Sequence, residues 1–326
     1  MKISLKIICM CLMGIMMTYG VCAQSSRYIE QQKREVKHVA EKRKICNITY
    51  PIRIATSATN PPFGWTEAEW DKMKQKDKYL AKGYNIDLLS DLFKSLDVWA
   101  SPVAFTNDTD ALNGLENGRV DVFIGAYYDP RYRKMGYTYI IPSYFQNVAA
   151  LIFLKGKEKE FTSFQDLKGL KGVVRSDELF YTYVRPSLPS DVYIEEVPSS
   201  REAFTRLING RADYILGSPY SAEAEARRFK LNTKITMVKT PLPAQEMFIV
   251  FGKNAPCRAA IPELVKKMKE HQKHKVEETQ KLISYINTWG QRFKNEPGLE
   301  IPNTPADNPD TQHNIPEQKE ETKITK

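Results

Sequence analysis

Between Asp121 and Tyr144 the chain reads D-V-F-I-G-A-Y-Y-D-P-R-Y-R-K-M-G-Y-T-Y-I-I-P-S-Y. An apolar run from Val120 to Ile124 breaks at Gly125 into a segment rich in tyrosine and basic residues. A buried strand that ends in a loop offering an arginine is a frequent way for an open α/β sheet to hold a ligand. The expected chemistry is capture of a small solute rather than its transformation. Reactive groups are otherwise sparse. His271 and His274 share a helix face, but lysines surround them and no third ligand lies nearby, so the segment reads as a solvated face and no metal is expected. There is no glycine-rich phosphate loop and no G-x-S-x-G elbow, and no cofactor is called for. Asp108, Asp110 and Asp177 are acids that acid–base chemistry would need, and they keep an enzyme reading open as a minor one.

The elements that must position these residues lie behind an export signal. Lys2 and Lys6 precede an uncharged apolar run, Ile7 to Met17, and Val21-Cys22-Ala23 suits cleavage after Ala23. The run is too short to span a bilayer comfortably, although an uncleaved anchor is the competing reading. Val21 stands before Cys22 where lipidation needs a small residue, so simple cleavage ranks higher. Of the chain's 5 cysteines, Cys46 and Cys257 remain outside the signal. In an oxidising compartment they can pair or stay as separate buried thiols, and the sequence leaves both open. The formal charge is +9, of which the signal carries Lys2 and Lys6, leaving +7 for the remainder. Lysines are dispersed among glutamates, which reads as solvation rather than a nucleic-acid surface.

Residues 24–45 form a charged spacer. Pro297, Pro302, Pro305, Pro309 and Pro316 punctuate a polar tail over 297–326 that is expected to be disordered. Between them strand and helix alternate in two series, which predicts α/β architecture with mainly parallel sheets flanked by helices. The expected division is a first lobe over 46–148 and 247–296, with a second lobe over 149–246. Apolar strands at Ala149–Leu154 and Met247–Phe251 link them as a hinge. L-E-N-G-R-V-D-V-F-I and L-I-N-G-R-A-D-Y-I-L repeat a helix–turn–strand layout, with Gly118 and Gly210 at helix C-caps that need a left-handed backbone. The helices over Leu264–Trp289 are expected to pack on the first lobe.

Five pieces in order carry a resemblance. They are I-R-I-A-T-S-A-T-N-P-P-F from Ile52, G-Y-N-I-D-L from Gly83, L-N-G-L-E-N-G-R-V-D from Leu112, S-F-Q-D-L-K-G-L-K from Ser163, and the Asp121 strand segment. From Ile52 to Trp289 the chain resembles bacterial extracellular solute-binding family 3, the periplasmic polar amino-acid-binding proteins. The resemblance implies a two-lobed type 2 periplasmic-binding fold, a ligand gripped between the lobes by hinge closure, and delivery to an inner-membrane ABC permease or a receptor, by a monomer with no nucleic-acid partner. The family's carboxylate-gripping arginine falls on Arg133, its neighbouring hydroxyl on Tyr128, and its anion-receiving helix start on Ser176 and Asp177, where Asp177 is better suited to capping. Its amine-receiving acids fall on Ser57 and Ser218, and its aromatics on Asn60 and Thr109. Tyr127, Tyr128, Phe63, Trp65 and Tyr220 remain as aromatic lining. Loss of both carboxylates removes the partners an α-ammonium needs when desolvated, so a small polar or acidic solute is the expected cargo. The alternatives are an accessory protein that docks on another periplasmic protein and, since the fold hosts occasional enzymes, a dehydratase-like cleft enzyme.

Overall fold

In the computed structural model, residues 30–31, 33–34, 46, 50–71 and 76–302 are described. The signal and the chain beyond residue 302 lie outside them, and of the spacer only four positions are described, all helical.

The first lobe opens with β1 (Ile52–Ser57), followed by the short β2 (Thr59–Asn60) and a hairpin of β3 (Gly64–Asp71) and β4 (Lys76–Lys82). Helix α1 (Tyr84–Lys94) comes next, its Ile86, Leu88, Leu89, Leu92 and Phe93 buried at helical spacing. Removing each such side chain from water contributes about 1.5–3 kcal/mol. Strand β5 (Ala100–Phe105), helix α2 (Asp108–Glu116), strand β6 (Val122–Tyr127), the one-turn α3 (Pro130–Lys134) and strand β7 (Thr138–Asn147) complete this half. The second lobe holds β8 (Ala150–Leu154), β9 (Gly172–Arg175), α4 (Leu179–Val184), β10 (Ile194–Val197), α5 (Ser200–Ile208), β11 (Tyr214–Gly217), α6 (Pro219–Arg228) and β12 (Ile235–Lys239). The chain returns through β13 (Gln245–Phe251) and ends in α7 (Ile261–His271) and α8 (Lys275–Arg292).

Two five-stranded sheets share one plan, with orders β5-β1-β6-β13-β7 and β10-β9-β11-β8-β12. In each, four strands run the same way, three of them as a parallel trio, and one strand, β13 or β8, is antiparallel to both its neighbours. The parallel trios are joined by helical crossovers, as parallel pairing requires. The reversed strand is in each case the one by which the chain crosses into that lobe, β8 into the second and β13 back into the first. The repeated N-G-R-x-D turn explains part of the likeness. Gly118 and Gly210 both sit at φ +68°, the left-handed conformation that closes the preceding helix. Asp121 then accepts a hydrogen bond from the Arg53 backbone N–H at 2.8 Å, and Asp213 one from that of Lys171 at 2.7 Å. Each aspartate thus ties its strand to the start of the parallel strand beside it, β6 to β1 and β11 to β9. Asn107 and Ser199 cap α2 and α5 in the same way, accepting from Asp110 N and Glu202 N. Such a cap contributes about 1 kcal/mol.

Cys46 and Cys257 form a disulfide with Cα atoms 4.5 Å apart. It ties the chain ahead of β1 to the segment that follows β13. The crossover segments are pinned to each other where Thr240 N and Oγ1 both donate to Ala149 O, at 3.2 and 3.1 Å.

Two expectations are corrected at the C-terminus. Helix α7 packs on β7 of the first lobe, but α8 runs between the lobes. Its Tyr285 hydrogen-bonds Asp87 of α1, while its Trp289 is buried with Ala224 of α6 and Trp65 of β3. Arg228 of α6 lies 5.6 Å from the Trp289 ring and 4.4 Å from that of Phe293, a cation–π stack across the lobes. Of the tail, residues 297–302 are described, and they lie against the second lobe. Leu299 N donates to Phe229 O at 2.9 Å, and Leu299 and Ile301 pack on the second-lobe core. Two apolar side chains in a polar tail are enough to fasten it where an apolar groove receives them.

Candidate functional site

The cleft between the sheets is lined by the ends of parallel strands, where open α/β sheets place ligands. The first lobe contributes the loop after β1 and the start of α2. Asn60 Nδ2 donates to Asp108 Oδ2 at 2.7 Å, and Asn60 Oδ1 accepts from Ser221 Oγ of the second lobe at 3.1 Å. The second lobe contributes Arg175, the last residue of β9. Its Nη1 donates across the cleft to Thr59 O at 2.8 Å and to Ser200 Oγ at 3.3 Å. Its Nε pairs with Asp177, and its Nη2 lies 3.7 Å from Glu178. At the hinge, Asn147 Nδ2 donates to the Tyr127 hydroxyl at 3.0 Å, and Ser218 Oγ donates to Asn147 Oδ1 at 2.7 Å. The lobes therefore meet through polar groups of both, in a closed arrangement.

The charges in the cleft are unequal. Asp108, Asp177 and Glu178 surround the single buried guanidinium of Arg175. Burial alone would lower Arg175, but the carboxylates of Glu178, Asp177 and Asp108 outweigh it and raise its pKa above the ordinary value. Burial pushes the Asp108 carboxyl up to about 7, against the opposing pull of Arg175 and the Asn60 hydrogen bond. Glu178 is raised by burial as well, with Arg175 opposing. No hydrogen-bond donor among the described residues reaches the buried Oε2 of Glu178. A buried carboxylate without a donor is costly, so the site is short of positive charge and of N–H groups.

Arg133 does not enter this cleft. It is exposed on α3 and lines a cavity of about 370 Å³ with Tyr128, Tyr137, Thr138, Tyr139, Ile141 and Arg258, all of the first lobe. Asp129 caps α3 by accepting from Arg131 N, which starts the helix as soon as β6 ends and carries Arg133 outward in its single turn. Tyr128 goes with it, 42% exposed, its ring against those of Tyr139 and Phe248. Ser176 is exposed, and its N–H is already bonded to Val197 O at 2.9 Å. The helix it was expected to open starts three residues later and spans 6 residues, so no anion-receiving start is formed there. Asp177 is not the capping residue of α4, because it turns back to Arg175. Ser57 is buried and accepts from Thr59 N at 3.3 Å, shaping the loop. Asn60 and Ser218 do lie at the interlobe contact. Phe63 packs edge-on against Phe145 and Tyr220 beside it. Trp65 is buried against Trp289 outside the cleft. Tyr127 is in the hinge network, its hydroxyl raised by burial.

Arg175 is not singled out in the sequence, where the segment it opens with Ser176, Asp177 and Glu178 reads as a helix start offering backbone N–H groups. The signal that marks it is a charge closing the apolar run G-V-V-R just before S-D-E, at the end of a parallel strand. Among the described residues there is no cluster of side chains suited to a metal ion, and no helix is long and apolar enough to cross a membrane.

The family model for "Bacterial extracellular solute-binding proteins, family 3" matches residues 52–296. No curated protein matches the sequence. Among solved structures, a Streptococcus pneumoniae amino acid ABC transporter substrate-binding protein, AbpA, bound to L-arginine, is similar with a TM-score of 0.55. It is 17% identical, over 74% of this chain and 94% of that one. The GluR0 ligand-binding core from Nostoc punctiforme with L-glutamate gives a TM-score of 0.53 at 17% identity, over 73% and 99% of the two chains. The Bordetella pertussis BvgS VFT2 domain gives 0.53 at 15% identity, over 73% and 92%. At these identities the likeness shows the two-lobed fold.

Proposed function

For a chain that belongs to the bacterial extracellular solute-binding proteins, family 3, we propose capture of a small polar solute that carries an ammonium group. The observation that carries this is the charge balance of the cleft. Three carboxylates, Asp108, Asp177 and Glu178, face one guanidinium, Arg175, and a fourth that acts on it, Glu225, has Arg228 at 3.5 Å. An ammonium placed among them supplies the missing cation and donors for Glu178 Oε2. If the solute also bears a carboxylate, Arg175 Nη1 exchanges its bond to Thr59 O for one to the ligand. An acid lacking an ammonium fits less well, because Arg133 stands outside the cleft and the surrounding carboxylates repel it. An aromatic or polar body meets Phe63 and Tyr220.

The mechanism is hinge closure about Asn147–Ala149 and Thr240. Closure is favoured to the extent that solute binds the closed form better than the open one. The exported, periplasmic monomer then delivers the solute to an inner-membrane ABC permease or presents it to a receptor. Thermal unfolding of the refolded chain against amines, amino acids, organic acids and sugars tests the reading, since a ligand held only by the folded state raises stability. Stabilisation by ammonium compounds is expected. A shift with organic acids alone would replace it with the acidic-solute reading.

A second reading, a binding-fold accessory that docks on another periplasmic protein, draws on one observation. The lobes already satisfy each other, through Arg175 to Thr59 and Ser221 to Asn60. No shift with any compound, together with capture of a defined partner by the closed form, would favour it.

A further inference from the structure

Outside the cleft, a cavity of about 200 Å³ opens where β7, the α7–α8 junction and the start of α6 converge. Of the residues named for the cleft, only Tyr220 also lines it; Asp108, Arg175, Asp177 and Glu178 do not. Its aromatic wall is Tyr144 and Phe145 of β7 with Tyr220 of the second lobe. The Phe145 and Tyr220 rings meet edge-on at 5.1 Å, and Phe63, from the loop that carries Asn60, packs against both. Opposite the rings stands Glu278. Tyr84 donates its hydroxyl to Glu278 Oε2 at 2.8 Å, which fixes the carboxylate in place. His271 lies 3.6 Å from the other oxygen. Burial lowers the His271 pKa below its ordinary value despite the Glu278 charge, and Lys281, itself 4.0 Å from Asp91, and His274 act in the same direction. Lys275 is exposed at the mouth, where water and salt screen its charge. Gln272 is occupied with Ser143 O at 3.0 Å.

A fixed carboxylate facing aromatic rings is the complement of an organic cation, which gains from the ring faces as well as from the charge. We infer that this hinge cavity is a second binding site, for a small organic ammonium compound, and that its occupancy is linked to lobe closure. The linkage follows from where the walls come from. Glu278, Tyr144 and Phe145 belong to the first lobe or to α8, whereas Tyr220 sits between Ser218 and Ser221 on the second. An occupant touching Glu278 and Tyr220 together favours the closed form, and ligands of cavity and cleft then strengthen each other by the same factor. The cavity itself does not depend on the proposed cargo; the linkage rests on hinge closure.

Isothermal titration of the chain with choline, and with its uncharged isostere 3,3-dimethylbutan-1-ol, tests the site. Choline should bind and the isostere should not. Glu278→Gln keeps an acceptor for Tyr84 while removing the charge, and should weaken choline by roughly tenfold. Tyr220→Leu should weaken it less. Arg133→Ala, which touches neither the cleft nor this cavity, should leave choline binding in place, and Asp108→Asn alters the cleft alone. Loss of binding in Asp108→Asn with none in Glu278→Gln would put choline in the cleft, overturning the hinge site while supporting the proposed cargo. Absence of choline binding, or equal binding of the isostere, would overturn it too. Saturating choline should tighten binding of any cleft ligand found by the thermal screen; unchanged affinity would overturn the linkage.

Discussion

Two arginines 42 positions apart in the sequence occupy opposite environments, and the contrast locates the functional centre. Arg133 stands on the outer end of a one-turn helix, exposed, among tyrosines of one lobe. Arg175 closes a buried strand, is itself buried, and reaches from one lobe to the backbone of the other. Both come at or soon after the end of a parallel strand. The difference is what comes next in the chain. After β6 the sequence D-P-R immediately caps a helix and lifts the following residues away from the sheet. After β9 no helix forms until residue 179, so Arg175 stays in the strand direction and projects into the crevice. A guanidinium reaches the cleft here because of the strand end that aims it, and a motif count along the chain does not register that.

The largest expected effect is at the buried member of the pair. Arg175→Ala leaves Asp177 and Glu178 without their partner and removes the interlobe bond to Thr59, which should cost about 3–5 kcal/mol of unfolding free energy. Urea denaturation measures it, and a loss no larger than that of a surface substitution would break the contrast. A smaller effect is expected in the pH dependence. Asp108 has its folded-state pKa raised from 3.8 to about 7. Stability held by the protonated form is therefore complete below about pH 4 and is lost as pH rises through about 7, by ~4 kcal/mol at most. Asp108→Asn should flatten that slope between pH 4 and pH 7, and a slope unchanged by the substitution would place the titration elsewhere. A bound ammonium should flatten it as well. The smallest effect belongs to Arg133→Ala, expected within about 0.5 kcal/mol and with no change in solute affinity. Loss of solute binding in that variant would return the site to the outer face of the first lobe.

Much of the fold was legible because its strands are apolar on both faces and its helices carry apolar residues at helical spacing. Ile52–Thr56, Ile86–Leu96 and Gly172–Arg175 carry such patterns and fold, within a few residues, as β1, α1 and β9. Elements without that signal were missed. Helix α6 reads P-Y-S-A-E-A-E-A-R-R, and the face it buries is Ser221, Ala224, Glu225 and Ala226, too small and polar to register as periodic. Strand β7 contains Pro142, which argues against a central strand but is tolerated at the sheet edge that β7 occupies. The hairpin of β3 and β4 alternates charged with apolar residues around a stretch dense in lysine and aspartate. The site was less legible than the fold, since it is made by pairs distant in sequence. Asn60 meets Ser221, and Thr59 meets Arg175, only because two separate sheets close on each other.

The fastening of the two chain ends has a practical consequence. The disulfide moors residue 46 to the segment just after β13, on the first lobe. Leu299 and Ile301 moor the other end to the second. The ends of the folded chain are thus the jaws of a caliper, and a pair of dyes beside them would gauge hinge angle by their separation while leaving both candidate pockets untouched.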